Sequence, residues 1–278
     1  MNWLTEEKIP VGKWMKAAFE WLKDNLSWFF DGLETMLSWV IDSTVELLQY
    51  PPALLMVVIF AGITWLIQKD WKRVVIVTLC FLYVINQGYW DETAESLTLI
   101  LYAGFFCMAV GVPLGIYFAH NPRTYRAVEP ILDMMQTIPT FVYLIPMIVL
   151  FGIGMVPGLV ATFIFVVAAP IRLTQLGVSQ VPLALKEAAR AFGATPRETL
   201  FKVELPYAFP QIMAGLNQTI MLALSMVVIA GLVGADGLGI PVIRALNTVN
   251  AAKGFESGFV IVAVAIALDR MLRVETKS

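Results

Sequence analysis

The stretch that decides the fold is Glu187–Pro206, EAARAFGATPRETLFKVELP. It is the longest polar interruption in the second half of a chain otherwise made of membrane-length apolar runs. Its local chemistry reads as two short helices with a sharp corner. Pro182 can open a first turn, and Leu183 to Phe192 carries good helix formers and no breaker. Gly193 follows as a left-handed stop. Thr195-Pro196-Arg197-Glu198 is a complete start signal: a Thr N-cap, Pro at the first helical position, and Glu three residues after the cap. Leu205-Pro206 is expected to end the second helix and begin the next apolar run. A rigid elbow between two lipid-spanning segments is a shape that something outside the membrane can grip.

Composition sets the class around that elbow. Of 278 residues, 59% are hydrophobic and 14% charged, where a soluble domain carries roughly 25% charged residues. The chain is therefore expected to be an all-α polytopic membrane protein. A net charge of −2 gives no reason for a nucleic-acid partner. Cys80 and Cys107 lie within apolar runs, with no CxxC spacing and no His neighbours, so neither a metal site nor a disulfide framework is expected. The lone His120 sits in a short basic loop and reads as solvated. Residues 1–10 hold Glu6, Glu7 and Lys8, unlike a secretory leader.

About seven transmembrane helices are expected after a polar lead-in, at 52–67, 73–87, 97–119, 127–152, 157–178, 207–234 and 255–272. Crossing a hydrocarbon core of about 30 Å takes roughly 20 residues. Residues 1–50 alternate Trp14, Trp21, Trp28, Leu33, Leu37 and Val40 with Lys13, Lys16, Glu20, Asp24, Asp31 and Glu34 at helical spacing. That is an amphipathic region for the headgroup layer, or one packed on the spans, and the two readings are compatible. The organisation expected is 1–50 as an external amphipathic region and 51–96 as two scaffold spans. Residues 97–272 form a core with the elbow at 180–206, and 273–278 a cytoplasmic tail.

Lys and Arg orient the spans. With the N-terminus outside, 13 of the 19 basic residues fall on inside segments, and the elbow is cytoplasmic. The outer loop 88–96 has Asp91, Glu92 and Glu95 and no base. The first 50 residues carry eight acids and four Lys.

Glu187-Ala188-Ala189, three residues, Gly193, nine residues, then Val203-Glu204-Leu205-Pro206 resembles the EAA loop of bacterial ABC importer permeases. It departs from that pattern only by Val for Ile at 203. The resemblance implies a type I ABC importer permease fold in a bacterial cell membrane. It implies a homodimer, two cytoplasmic ATPase subunits gripping the elbow, and an external solute-binding protein. The coupling residues carried over are Glu187, Ala188, Ala189, Arg190, Gly193, Thr195, Pro196, Glu198, Leu205 and Pro206. No GxxxxGK[ST] phosphate cradle occurs in the chain, so ATP and Mg are expected on the partner, with no catalysis and no cofactor here. Asp133-Met134-Met135-Gln136-Thr137-Ile138-Pro139, Pro170-Ile171-Arg172-Leu173-Thr174 and Gly234-Ala235-Asp236-Gly237-Leu238-Gly239 are similar to permeases for glycine betaine, proline betaine, carnitine or choline. Relatives of this group that fuse a binding domain do so C-terminally, which makes a separate binding protein the expectation here.

The expected pathway uses polar stripes, which are costly at membrane depth unless they face protein or water. Gln136, Thr140 and Tyr143 fall on one face of the fourth run, with Met135, Thr137, Pro139 and Phe141 beside them. Asn217, Gln218, Met221 and Ser225 do the same on the sixth. Hydrogen-bonding glue between helices is the alternative. Aromatic faces suit a cationic amine, and Phe165 joins the set because it shares a face with Thr162 and Arg172. Arg172 is expected to snorkel, or else to pair with Asp133. The glycines at 231–239 read as a tight re-entrant turn or a simple loop. A permease for another small polar solute, such as an amino acid, fits the elbow equally. An ion-coupled carrier would want acids at mid-span, and none is there. A membrane enzyme would want a His/Asp/Glu/Ser constellation, and one His with no HExxH or GxSxG argues against it.

Overall fold

The computed structural model describes residues 10–272. The readings of residues 1–9 and of the 273–278 tail lie outside the described residues. Each of the seven apolar runs becomes helix. The first helix, α1 (Val11–Gln49), is amphipathic and kinked at Leu26, whose φ of −123° leaves the helical region. Its second half packs Leu33, Leu37, Ile41, Val45 and Leu48 into the main core, while Trp14, Trp21, Trp28 and Trp39 stay exposed. Tyr50-Pro51-Pro52 then turns the chain by 102°, because consecutive prolines supply no N–H donors to continue a helix.

Helices α2 (Ala53–Gln68) and α3 (Trp71–Gln87) form a hairpin closed by Phe60 stacked on Phe81 at 4.9 Å. With 16 and 17 residues they reach about 25 Å, short of a roughly 30 Å core. The remaining helices are α4 (Trp90–His120), α5 (Pro122–Thr137), α6 (Thr140–Phe151), α7 (Met155–Val166), α8 (Ala168–Ser179), α9 (Leu183–Ala191), α10 (Pro196–Thr199), α11 (Leu205–Ala230), α12 (Gly239–Asn247) and α13 (Ala251–Leu272). Among the described residues four helices are long and apolar enough to cross a membrane, or up to six if each bent pair is one span.

The fourth run is not one straight span. Helices α5 and α6 meet at 92°. Ile138 is extended at ψ 129°, as the residue before a proline prefers, and Pro139 is extended at ψ 133°. The face expected to join Gln136 to Thr140 and Tyr143 is therefore divided between two helices.

The centre of the fold is the contact of α4, α8 and α11. A Cβ on Gly111 would lie 2.7 Å from Pro170 Cγ, and one on Gly115 would lie 2.6 Å from Thr174 Cβ and 2.7 Å from the Ile171 carbonyl oxygen. A Cβ on Gly177 would meet that of Gln211 at 2.8 Å. Small residues four apart let backbones approach, which is how helices associate in lipid without a hydrophobic drive. The glycines at 231–239 turn the chain tightly back against the end of α11. Leu238 N–H donates to Ser96 Oγ at 2.8 Å, and a Cβ on Gly239 would sit 2.5 Å from the Val227 carbonyl oxygen.

These contacts predict opposite outcomes on one helix. Gly115→Ala forces two backbones apart and should cost about 1–3 kcal/mol, seen as a lower melting temperature of the purified protein. Gly104 has nothing within 4 Å of a built Cβ, so Gly104→Ala should be neutral or stabilising by up to about 1 kcal/mol, the helix-propensity gain.

Candidate functional site

The elbow is built as its local chemistry dictates. Helix α9 starts after Pro182 and ends at Phe192, and Gly193 takes φ +85° to make the corner. Thr195 and Glu198 form a reciprocal cap: Glu198 N–H donates to Thr195 Oγ1 at 3.3 Å, and Thr195 N–H donates to Glu198 Oε2 at 3.0 Å. That backbone donor, then the Lys202 ammonium at 3.0 Å, holds the Glu198 carboxyl down to about 2. The cap is therefore intact above the ordinary carboxylate range and is lost only as pH falls towards about 2.

The second arm does not stop at Leu205-Pro206. Residues Leu200–Glu204 make a π-helical turn that leads directly into α11, giving one helix from Pro196 to Val233, 38 residues long. Leu205 N–H bonds to the Leu200 carbonyl, five residues back. Pro206 can neither donate to a carbonyl four residues back nor tolerate it under its ring. The wider turn removes both conflicts, so the proline is absorbed rather than ending the helix.

Glu187, Ala188 and Arg190 are exposed, and Ala189 is half-buried. Among the described residues no ion pair joins Glu187 to Arg190. Around them stand apolar side chains that the motif reading did not single out. Phe192 is 93% exposed, Leu183 65% and Phe201 65%. The elbow thus offers exposed apolar side chains beside Glu187 and Arg190 on a rigid frame.

Three further residues escaped the sequence reading. Glu204 is only 4% exposed. Its Oε1 lies 3.1 Å from Lys186 Nζ on α9, and its Oε2 lies 2.8 Å from Nε2 of His120 at the end of α4. Both are ion-pair contacts, and Oε2 has no aligned hydrogen-bond donor. His120 is thus paired rather than a free loop residue. The only sequence signal was a carboxylate two residues before a proline at the mouth of an apolar run, where an unpaired charge is costly.

The pathway candidates divide. Tyr143 O–H donates across the α5–α6 break to the Met135 carbonyl at 2.6 Å, and its ring lies 6.2 Å from that of Phe165. Met135, Phe165 and Leu222 pack in one cluster, which brings α5, α7 and α11 together. Thr137, Pro139 and Phe141 are exposed, and Gln136 and Thr140 are half-buried. On α11, Gln218 and Ser225 are exposed, Met221 and Asn217 are half-buried, and Asn217 Oδ1 is enclosed with no hydrogen-bond partner. Of the two readings of Arg172 the pair is the one formed: its Nη2 meets Asp133 Oδ1 at 2.5 Å, on the exposed side of a helix that packs nearby. Among the described residues no three His, Cys, Asp or Glu side chains gather as a metal site.

The chain is 44% identical over 264 residues to the glycine betaine/proline betaine transport system permease protein ProW of Escherichia coli K12, covering 95% of this chain and 74% of that protein. It is 44% identical over 275 residues to the glycine betaine transport system permease protein OpuAB of Bacillus subtilis 168, covering 98% and 97%. It is 32% identical over 192 residues to the choline transport system permease protein OpuBD of the same organism, covering 68% and 85%. Among solved structures, an inward-facing form of the MetNI methionine ABC transporter superposes with a TM-score of 0.56 at 27% identity, covering 63% of this chain and 89% of that one. The family described as binding-protein-dependent transport system inner membrane component matches residues 111–272, the segment that holds the glycine-packed helices and the elbow. The chain belongs to that family and is a multi-pass permease subunit of an ABC importer.

Proposed function

We propose that this permease translocates a quaternary-amine solute of the glycine betaine, proline betaine, carnitine or choline class. It works as a homodimer with two cytoplasmic ATPase subunits and an external binding protein. The observation that carries the reading is the uninterrupted helix Pro196–Val233. A partner that grips the elbow moves α11 with no flexible joint between, so closure of an ATPase pair becomes motion of the bundle. The chain itself is non-catalytic, and ATP with its Mg sits on the partner.

The N-terminus is outside and the C-terminus cytoplasmic. The Lys and Arg distribution supports this. The 102° turn between α1 and α2 suits an α1 lying in the membrane plane with its tryptophans at the headgroups. The pathway runs past the α5–α6 break and the open face of α11, lined by Gln136, Thr137, Thr140, Phe141, Tyr143, Gln218 and Ser225. The Tyr143–Phe165 pair offers ring faces to a cationic head. A second reading, an amino-acid permease, is favoured by the likeness to the methionine transporter fold.

Two measurements test these readings. Phe192→Asp places a charge on the most exposed ring of the elbow. It should weaken retention of the ATPase by about 2–4 kcal/mol, the scale of an interface hot spot, read by co-purification and by loss of solute-stimulated ATP hydrolysis. In proteoliposomes holding the complete complex, radiolabelled glycine betaine should accumulate in an ATP-dependent manner and compete with choline but not methionine. Uptake of methionine alone would select the second reading.

A further inference from the structure

The main core has a gap that its own side chains leave open. A cavity of about 400 Å³ lies among α1, α2, α4, α11 and α13. Phe60 stands on α2, Leu97 and Gly104 on α4, Ile220 on α11 and Leu268 on α13. Gly104 is buried, yet nothing lies within 4 Å of a Cβ built on it. Protein interiors hold few voids larger than a water molecule, and this one falls in the range of ligand pockets, roughly 300–1,000 Å³.

The chemistry of the lining excludes most occupants. Its two hydroxyls are engaged within the protein. Thr98 Oγ1 donates to the Ala94 carbonyl at 2.8 Å. Thr44 Oγ1 donates to the Val40 carbonyl at 2.9 Å and lies 2.6 Å from the Tyr102 hydroxyl. Every other lining residue is apolar or glycine. Water would find no partners there, and a polar solute would lose its hydration without replacement. The cavity is not closed. Leu101 and Phe105 line it and are also exposed. Both lie on α4, a helix long and apolar enough to cross a membrane. The space is therefore continuous with the hydrocarbon around that span. One rim also carries charge. Gln68 Nε2 donates to the Met271 carbonyl at 2.7 Å, which ties the end of α2 to a lining residue of α13. Lys69 and Lys72 follow Gln68 and are exposed, while Asp70 between them meets Arg73 at 3.6 Å.

We propose that this crevice is a phospholipid site: one acyl chain lies over Gly104 between α2 and α4, and the phosphate rests at Lys69 and Lys72. The chain supplies the packing that no side chain provides, and holds the short α2–α3 hairpin to the core. The apolar walls select hydrocarbon, and the two ammonium groups at the rim select a chain that carries a phosphate. The site depends neither on what grips the elbow nor on which solute is carried.

The test uses the complete transporter in proteoliposomes doped with phosphatidylglycerol that carries a photoactivatable diazirine in one acyl chain. After irradiation, labelled peptides of this chain are mapped by mass spectrometry. Label should concentrate on residues 97–105 and 268–272, above the level at Val75 and Leu79 of α3, which are exposed but line no cavity among those described. Gly104→Leu fills the crevice and should bring the label there down to the α3 level. The same diazirine chain on diacylglycerol, which has no phosphate, should label the crevice weakly. Lys69→Gln combined with Lys72→Gln should lower the phosphatidylglycerol label to the diacylglycerol level. Should Gly104→Leu fail to fold, judged by its melting temperature, the wild-type map and the diacylglycerol comparison decide. Even labelling of α3 and the crevice, or crevice labelling that survives Gly104→Leu, overturns the proposal. Equal labelling by diacylglycerol removes the phosphate's part and overturns the assignment to a phospholipid. A disulfide between two Phe105→Cys copies, with no label in the crevice, gives the space to a second copy of the chain and overturns it as well.

Discussion

The structure depends on how closely three helices approach one another. In lipid, apolar side chains gain nothing by leaving their surroundings, so helices are held by contact and by matched polar groups. Helix α4 offers Gly111 and Gly115 to the Pro170–Thr174 segment of α8, and α8 offers Gly177 to α11. The distances leave no room for a methyl group. Such a seam is bistable rather than elastic, because close-packed backbone can shift as a body but cannot stretch. A permease that must rock between states needs that property in its centre.

Rigidity in the seam is useful only if force arrives without loss. The proline at 206 would ordinarily interrupt delivery, since it removes one ladder bond and crowds a carbonyl. The π-helical turn at Leu200–Glu204 accommodates it by adding one residue, so the elbow's second arm and the span are one rod. The first arm is separate and meets the rod at Gly193. Its positive φ makes the corner, while the Thr195–Glu198 cap fixes where the rod begins. The joint at Glu204 then ties the first arm and the end of α4 to the foot of the rod.

Much of this was legible in the residues. Local signals were read well, because they depend on neighbours in the chain: the Thr-Pro-x-Glu start, the glycine corner and the seven apolar runs. The features that escaped are those in which a distant partner or a change of register decides. Leu205-Pro206 looks like a stop until the wider turn before it is known. The run 127–152 has the composition of one span, yet Ile138-Pro139 divides it, since apolar composition carries no information about direction. His120 looked solvated because its carboxylate lies 84 positions away and no periodicity links such a pair, whereas for Arg172 the pairing with Asp133 had stood as the alternative to snorkelling. The candidate pathway was partly legible: its residue types were evident, but the single face proposed for Gln136, Thr140 and Tyr143 was not real.

That broken face also bears on where a solute meets the protein. A straight fourth span would present one continuous stripe. The bend instead exposes Thr137, Pro139 and Phe141 at a corner, while Tyr143 reaches back to the Met135 carbonyl and keeps the two halves together. On the neighbouring rod, Gln218 and Ser225 lie on an open face, and Asn217 encloses an oxygen with no donor. Side chains of this kind are expensive against hydrocarbon. On the proposed reading their surroundings are water, solute or another polar surface. The rod that carries them begins with the second arm of the elbow at Pro196, so on the proposed reading a movement of that arm displaces the polar stripe itself. On the proposed reading, coupling and conduction lie at two ends of one helix.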